Sequence, residues 1–178
     1  MDSQAIRDKL VLIGFMGTGK SSVSRLLSER LGYARVDADE EIERAEGRTI
    51  SSIFQSDGEE AFRDIESRVL TALLARKEPM VLATGGGAVL REGNRDAMLH
   101  GGFVVSLQCS AEQIIDRVMS DTARPLLQGD VESRVRTLLK QRQGIYDFAH
   151  LTIDTTELSV EEVATIIINQ WKLHHSNS

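Results

Sequence analysis

The sequence predicts an α/β fold, one five-stranded parallel sheet covered by helices on both faces. Three observations carry that prediction. Short, continuous apolar runs recur along the chain, as strands buried on both faces require. Segments with apolar residues at helical spacing lie between them, the alternation from which parallel sheets are built. A glycine-rich stretch sits where the first apolar run gives way to the first helix, and sheets of this kind bind ligands beyond the carboxyl ends of their strands.

Residues 10–13, Leu-Val-Leu-Ile, read as the first strand. They follow Arg7 and Lys9 as a leader sequence would, but the run breaks at Gly14, meets Lys20, and has no small-residue cleavage pattern behind it. It is also too short to span a bilayer. Residues 22–31 form a helix with Val23, Leu26, Leu27 and Leu31 on one face and Gly32 as its stop. A second strand at 33–36 ends at Asp37. Three helices are expected next: 40–46 closed by Gly47, 50–55 closed by Ser56-Asp57-Gly58, and 59–77. The last carries Phe62, Ile65, Val69, Leu70, Leu73 and Leu74 at helical spacing and ends before Pro79. Residues 80–83 make the third strand and run into Gly85-Gly86-Gly87. A short helix at 94–99 precedes a fourth strand at 103–107. A helix at 111–119, a polar loop at about 121–129 and a helix at 131–142 lead to a fifth strand at 151–153. An amphipathic helix at 160–173 closes the chain, with Trp171 as a packing residue. The tail at 174–178, with two of the four histidines, reads as frayed and solvated rather than as a metal site.

At 178 residues the chain is expected to be one domain, 1–178, large enough to bury most of its unfolded surface without a staple. A net charge of −6 argues against nucleic acid or an acidic membrane as the main partner. The single cysteine, Cys109, allows no intramolecular disulfide and favours a reducing compartment, the cytoplasm. Nothing nearby would activate it as a nucleophile, so packing at a strand end is its expected role.

The strongest chemical signal is Gly14-Phe15-Met16-Gly17-Thr18-Gly19-Lys20-Ser21, a G-x-x-x-x-G-K-[ST] phosphate loop between a strand and a helix. Its glycines let backbone N–H groups curl around phosphate oxygens at a helix N-terminus, where the helix dipole also favours anions. Lys20 reaches the β/γ-phosphates and the Ser21 hydroxyl ligates Mg²⁺. Asp37 and Asp39, one residue apart at the end of the second strand, suit a metal-linked site or a hold on substrate hydroxyls. Taken alone, Asp39 reads equally well as the N-cap of the following helix. Arg63 and Glu66, at i and i+3, taken alone read as a surface ion pair. Thr84-Gly85-Gly86-Gly87 offers bare backbone to a ligand, or is a plain loop. Among Arg117, Arg124, Arg134, Arg136 and Arg142, a solvated helix face accounts for Arg134 and Arg136. Arg124, beside Pro125 in the polar loop, suits a lid or transition-state contact.

Together these residues resemble shikimate kinase, over about residues 10–171. The stretch 36–43, then Gly47, Ile50, Ile53-Phe54, Gly58-Glu59, Phe62-Arg63 and Glu66, is similar to that family's substrate-binding region in order and spacing. Thr84-Gly85-Gly86-Gly87-Ala88-Val89 and Arg124-Pro125-Leu126-Leu127 resemble its glycine loop and its lid. Arg142, four residues before Tyr146, stands in the place of its second substrate arginine.

The resemblance implies a P-loop kinase of the nucleoside-monophosphate-kinase-like type, a monomer that transfers the γ-phosphoryl of ATP to the 3-hydroxyl of shikimate with Mg²⁺, on the route to chorismate and the aromatic amino acids. It makes Lys20, Asp39 and Arg124 catalytic. Gly17, Thr18, Gly19, Lys20, Ser21 and Ser22 would hold the nucleotide phosphates, with Arg117 stacking on adenine and Arg124 closing from the lid. Ser21 and Asp37 would serve the metal. Asp39, Arg63, Gly85, Gly86, Gly87 and Arg142 would bind shikimate, the two arginines on its carboxylate. Glu66 would brace Arg63, while Ile50, Phe54 and Phe62 line the apolar side. The chain departs from the family before its last helix, where Ser159-Val160-Glu161-Glu162 replaces the usual Ser-Pro-Glu-Glu; Val160 keeps an apolar contact for the base. Two other functions are open on the residues alone: a gluconate kinase on the same scaffold, and a nucleotide-binding regulator without turnover.

Overall fold

The computed structural model describes residues 8–120 and 130–177. Its five strands are β1 (Lys9–Ile13), β2 (Ala34–Asp37), β3 (Met80–Ala83), β4 (Phe103–Gln108) and β5 (Leu151–Asp154), all parallel, in the order β2-β3-β1-β4-β5. The helices are α1 (Lys20–Leu31), α2 (Ala38–Glu46), α3 (Ile50–Leu74), α4 (Glu92–Gly101), α5 (Ala111–Met119), α6 (Val131–Gln141) and α7 (Val160–Ser176).

The central strand shows why its apolar run is continuous. Val11 and Ile13 face a core shared with Leu70 and Leu73 of α3, Met98 of α4 and Val135 of α6. Leu10 and Leu12 face the opposite core, with Val23 and Leu27 of α1 and Val163, Ile167 and Trp171 of α7. Alternate side chains of a strand point to opposite faces, so both must be apolar when helices cover both. A third, smaller cluster of Ile42, Ile53, Phe62 and Ile65 joins α2 to α3.

Register brings the functional loops to one edge. Leu12 pairs with Ala83, and Ala83 pairs in turn with Asp37, so β1, β3 and β2 end level with one another. The loops after Ile13, Asp37 and Ala83 therefore open side by side.

Several boundaries differ from the sequence reading. Asp37, not Asp39, caps α2: its Oδ1 accepts from the N–H groups of Asp39 (2.9 Å) and Glu40 (3.2 Å). The helices expected at 50–55 and 59–77 run on as α3 through a kink at Gly58, where φ is 87°, and end at Leu74. A 3-10 turn at Ala88–Leu90 follows the glycine loop. Where a frayed tail was expected from residue 174, α7 continues to Ser176, with the His174 ring 5.0 Å from the Phe103 ring and 5.3 Å from that of His150. Aromatic contact across the sheet's amino edge, invisible to local spacing, orders that last turn.

Candidate active site

The phosphate loop is shaped by what its glycines allow. Gly17 (φ 77°) and Gly19 (φ 95°) occupy left-handed backbone that a side chain strains, and a Cβ on Gly14 would collide with the carbonyl oxygen of Leu107. Gly19 is the N-cap of α1 and offers no side-chain acceptor, so the first N–H groups of the helix have no cap from it. An anion is what such an end accepts. The Thr18 hydroxyl donates to the Phe15 carbonyl (2.8 Å), and the Lys20 ammonium donates to those of Gly14 (2.7 Å) and Phe15 (2.9 Å). Lys20 is thus folded over the loop.

A cavity of about 410 Å³ opens above it. The expected residues Gly17, Thr18, Gly19, Lys20, Ser21, Ser22, Asp37, Asp39, Gly85, Gly86, Arg117 and Val160 all line it, with Thr155, Leu158 and Val163 on the Val160 side. Arg117 is exposed and donates to the Gly17 carbonyl at 2.7 Å. Arg124 and the expected lid at 121–129 lie outside the described residues.

Asp39 stands where burial pushes its carboxyl up to about 6. The negative charges of Asp37 and Glu66 add to that rise, while Lys20 and Arg63 oppose it. A carboxyl poised there accepts a proton near neutral pH, which an ordinary aspartate does poorly.

Arg63 and Glu66 correct the surface-pair reading. Both are buried, and Arg63 Nη1 donates to Glu66 Oε1 at 2.8 Å. Burial pushes the Glu66 carboxyl up, against the pull of the arginine. Arg63 also lies 5.2 Å above the Phe62 ring, and Arg142, the C-cap of α6, lies 5.6 Å from the Phe15 ring. Arg63 Nε and Arg142 Nη1 are buried, and neither has a hydrogen-bond partner. A buried N–H left unmade is expensive, so two of them on cations beside one loop point to an absent acceptor, best supplied by an anion.

The glycines explain how that arrangement fits. A Cβ on Gly87 would collide with the Arg63 guanidinium. One on Gly85 would stand 3.0 Å from Asp39 Oδ1 and 3.2 Å from Glu66 Oε2, and one on Gly86 3.5 Å from Arg142 Nη1. The triple glycine is therefore the gap into which two carboxylates and two arginines converge.

Two contributors escaped the sequence reading. Phe15 underlies Arg142, and the Tyr146 hydroxyl donates to the Gly86 carbonyl at 2.6 Å across a separation of 60 residues. No local spacing signals a contact of that range. Cys109 behaves as expected: it is partly buried, 3.8 Å from the Gly17 carbonyl, and burial raises its thiol.

A phosphate loop on the central strand of this parallel sheet, with a carboxyl of raised pKa lining the same cavity, is the arrangement of a P-loop kinase acting on a small molecule. The sequence model for shikimate kinase matches residues 16–172. The chain belongs to the shikimate kinase family. It is 45% identical over 164 residues to the shikimate kinase of Thermodesulfovibrio yellowstonii, covering 92% of this chain and 94% of that one. It superposes on the shikimate kinase of Acinetobacter baumannii in complex with shikimate with a TM-score of 0.87 and 41% identity, over 96% of this chain and 94% of that one. A gluconokinase from Sinorhizobium meliloti shares the fold alone, at a TM-score of 0.61 and 19% identity, over 97% of this chain and 95% of that one.

Proposed function

We propose that the residues at this sheet edge carry the transfer of the γ-phosphoryl of ATP to the 3-hydroxyl of shikimate, giving shikimate 3-phosphate and ADP. The observation that carries the acceptor's identity is the pair of buried arginine N–H groups without acceptors beside Gly85–Gly87. A planar guanidinium binds a carboxylate through two parallel hydrogen bonds, and Arg63 and Arg142 would meet the shikimate carboxylate in this way. Backbone of Gly85, Gly86 and Gly87 would contact the ring.

Gly17, Thr18, Gly19, Ser21 and Ser22 would hold the phosphates through backbone N–H groups and hydroxyls, and Lys20 would neutralise charge on the transferring group. Arg117, swung from Gly17, and Val160 would flank adenine. As the 3-hydroxyl oxygen bonds to the γ-phosphorus, the bond to the bridging oxygen of ADP breaks, and Asp39 takes the hydroxyl proton. The donor set fits Mg²⁺: Ser21 and Asp37 both line the cavity, and Asp37 spends Oδ1 on the backbone and keeps Oδ2. A small cation that keeps most of its waters and shares phosphate oxygens suits so sparse a set. When bound, it would screen the negative charge of the phosphates.

Residues 1–178 are read as one domain, with the substrate region at about 37–66. No helix among the described residues is long and apolar enough to cross a membrane. A single cysteine in 178 residues favours a reducing compartment, the cytoplasm, and the proposed state is a monomer.

An assay coupled to ADP release tests the reading. Shikimate is expected to drive ADP formation far faster than gluconate or no acceptor. Equal rates with gluconate would make the chain a different metabolite kinase, and equal rates without acceptor a plain ATPase. The role of Asp39 is tested by pH. With both substrates subsaturating, the rate reports the free enzyme. Asp39 must be ionised to accept a proton, so this rate is expected to fall tenfold per pH unit below about 6 and to level off above it. A flat profile between pH 4.5 and 7 would remove Asp39 as the base.

A further inference from the structure

Three consecutive glycines give the substrate loop its room, but they deny it any side chain by which the fold can hold it. Its grip comes from the backbone: the Gly85 and Gly87 carbonyls accept from the N–H groups of Ala88 and Leu90 (both 3.1 Å), and the Gly86 carbonyl accepts from a side chain. Tyr146 is buried, at 7% exposure, and its hydroxyl donates to the Gly86 carbonyl at 2.6 Å. Burial pushes the phenol up, and the Arg142 guanidinium beside its oxygen opposes that rise. Arg142 Nη1 in turn lies 3.5 Å from where a Gly86 Cβ would stand. Arginine, phenol and glycine backbone form one contiguous group.

The local chain holds this arrangement. Arg142 ends α6 with its N–H on the Leu138 carbonyl (2.9 Å), and its own carbonyl accepts from the Ile145 N–H (3.1 Å). Gly144, at φ 78°, turns the backbone between them. Arg142 and Tyr146 are thereby presented together to the loop after β3.

We infer that Tyr146 is a positioning residue for shikimate: it fixes the glycine loop and Arg142 relative to one another, so that both meet the acceptor in register. This rests on the proposed carboxylate clamp. The phenol touches no reacting atom, so its effect belongs on acceptor binding and not on phosphoryl transfer.

Tyr146→Phe keeps the ring in the core and removes only the oxygen. It is expected to raise KM for shikimate about threefold to tenfold, the range one neutral hydrogen bond supports, with kcat and KM for MgATP changed less than about twofold. In an Arg142→Ala background the same substitution is expected to add less than about twofold, because the partner through which it acts is gone. Full multiplication of the two losses would overturn the inference, as would equal weakening of shikimate and MgATP, which marks a loosened fold. If Arg142→Ala leaves KM for shikimate unchanged, it is the clamp itself that fails.

A second readout leaves the position intact. The chain has two tyrosines, and 3-fluorotyrosine labelling with Tyr33→Phe as the assignment variant identifies the Tyr146 fluorine signal. That signal is expected to move on addition of shikimate and to stay in place on addition of ADP alone. A signal indifferent to shikimate would overturn the inference.

Discussion

Lys20→Met is expected to lower kcat by at least about 100-fold, ~2.7 kcal/mol of barrier, while leaving the fold intact. The ammonium is held over the loop by the carbonyls of Gly14 and Phe15 at 2.7 and 2.9 Å, in place before any nucleotide arrives. Phosphoryl transfer asks the protein chiefly for positioning and charge neutralisation, and a preorganised cation supplies both without reorganisation at the moment of reaction. Methionine keeps much of the stem's packing and removes the charge. Lys20 also helps hold the Asp39 carboxyl down against burial. Without it the Asp39 pKa rises further, so the acid limb of whatever activity remains is expected to shift to higher pH. Steady-state kinetics across pH 5 to 8, with circular dichroism as the control for folding, measure both effects. Retention of more than about a tenth of kcat would overturn the assignment of Lys20 to the phosphates.

The second large effect is expected at the arginine pair. A charge-assisted hydrogen bond is worth roughly 1.5–3 kcal/mol, so Arg142→Ala should reduce kcat/KM for shikimate by about 10- to 150-fold at tenfold per 1.36 kcal/mol. KM for MgATP should scarcely change. Arg63 carries a second consequence, because its Nη1 is the partner of the buried Glu66 carboxylate. Arg63→Ala leaves that charge uncompensated, a loss of about 3–5 kcal/mol of stability on top of the binding loss. Burial already raises the Glu66 pKa, and without Arg63 it rises further. The stability deficit of Arg63→Ala is therefore expected to shrink as pH falls and Glu66 takes up a proton. Arg63→Lys keeps a charge beside Glu66 but loses the two-pronged geometry, so it should recover stability more than activity. An acceptor with CH₂OH in place of the carboxylate completes the comparison. If the arginine variants lose as much against that neutral acceptor as against shikimate, the clamp is purely structural.

The architecture and the phosphate loop are legible in the amino-acid order, for a physical reason that is local. A strand covered on both faces must be apolar at every position, and Leu10–Ile13 is. A phosphate loop must place glycine where the backbone turns left-handed, and Gly17 and Gly19 do. Such constraints act on residues within a few positions of one another, so spacing reveals them. The break at Gly58 was visible for the same reason, although the helix resumes beyond it.

The environment of the polar groups, by contrast, is set by packing between distant parts of the chain. Arg63 and Glu66 have the spacing of an ordinary surface pair, and nothing within four residues says that α3 turns them inward against Gly87 and Gly85. Asp39 acquires its raised pKa from burial and from Asp37 and Glu66, the latter brought to it from another helix. The helix cap passed to Asp37 because β2 extends one residue further, level with Ala83 and Leu12. Tyr146 reaches Gly86, and His174 reaches Phe103, only across the folded sheet. Charge, burial and long-range hydrogen bonding depend on what the chain packs against, and local spacing carries no record of that.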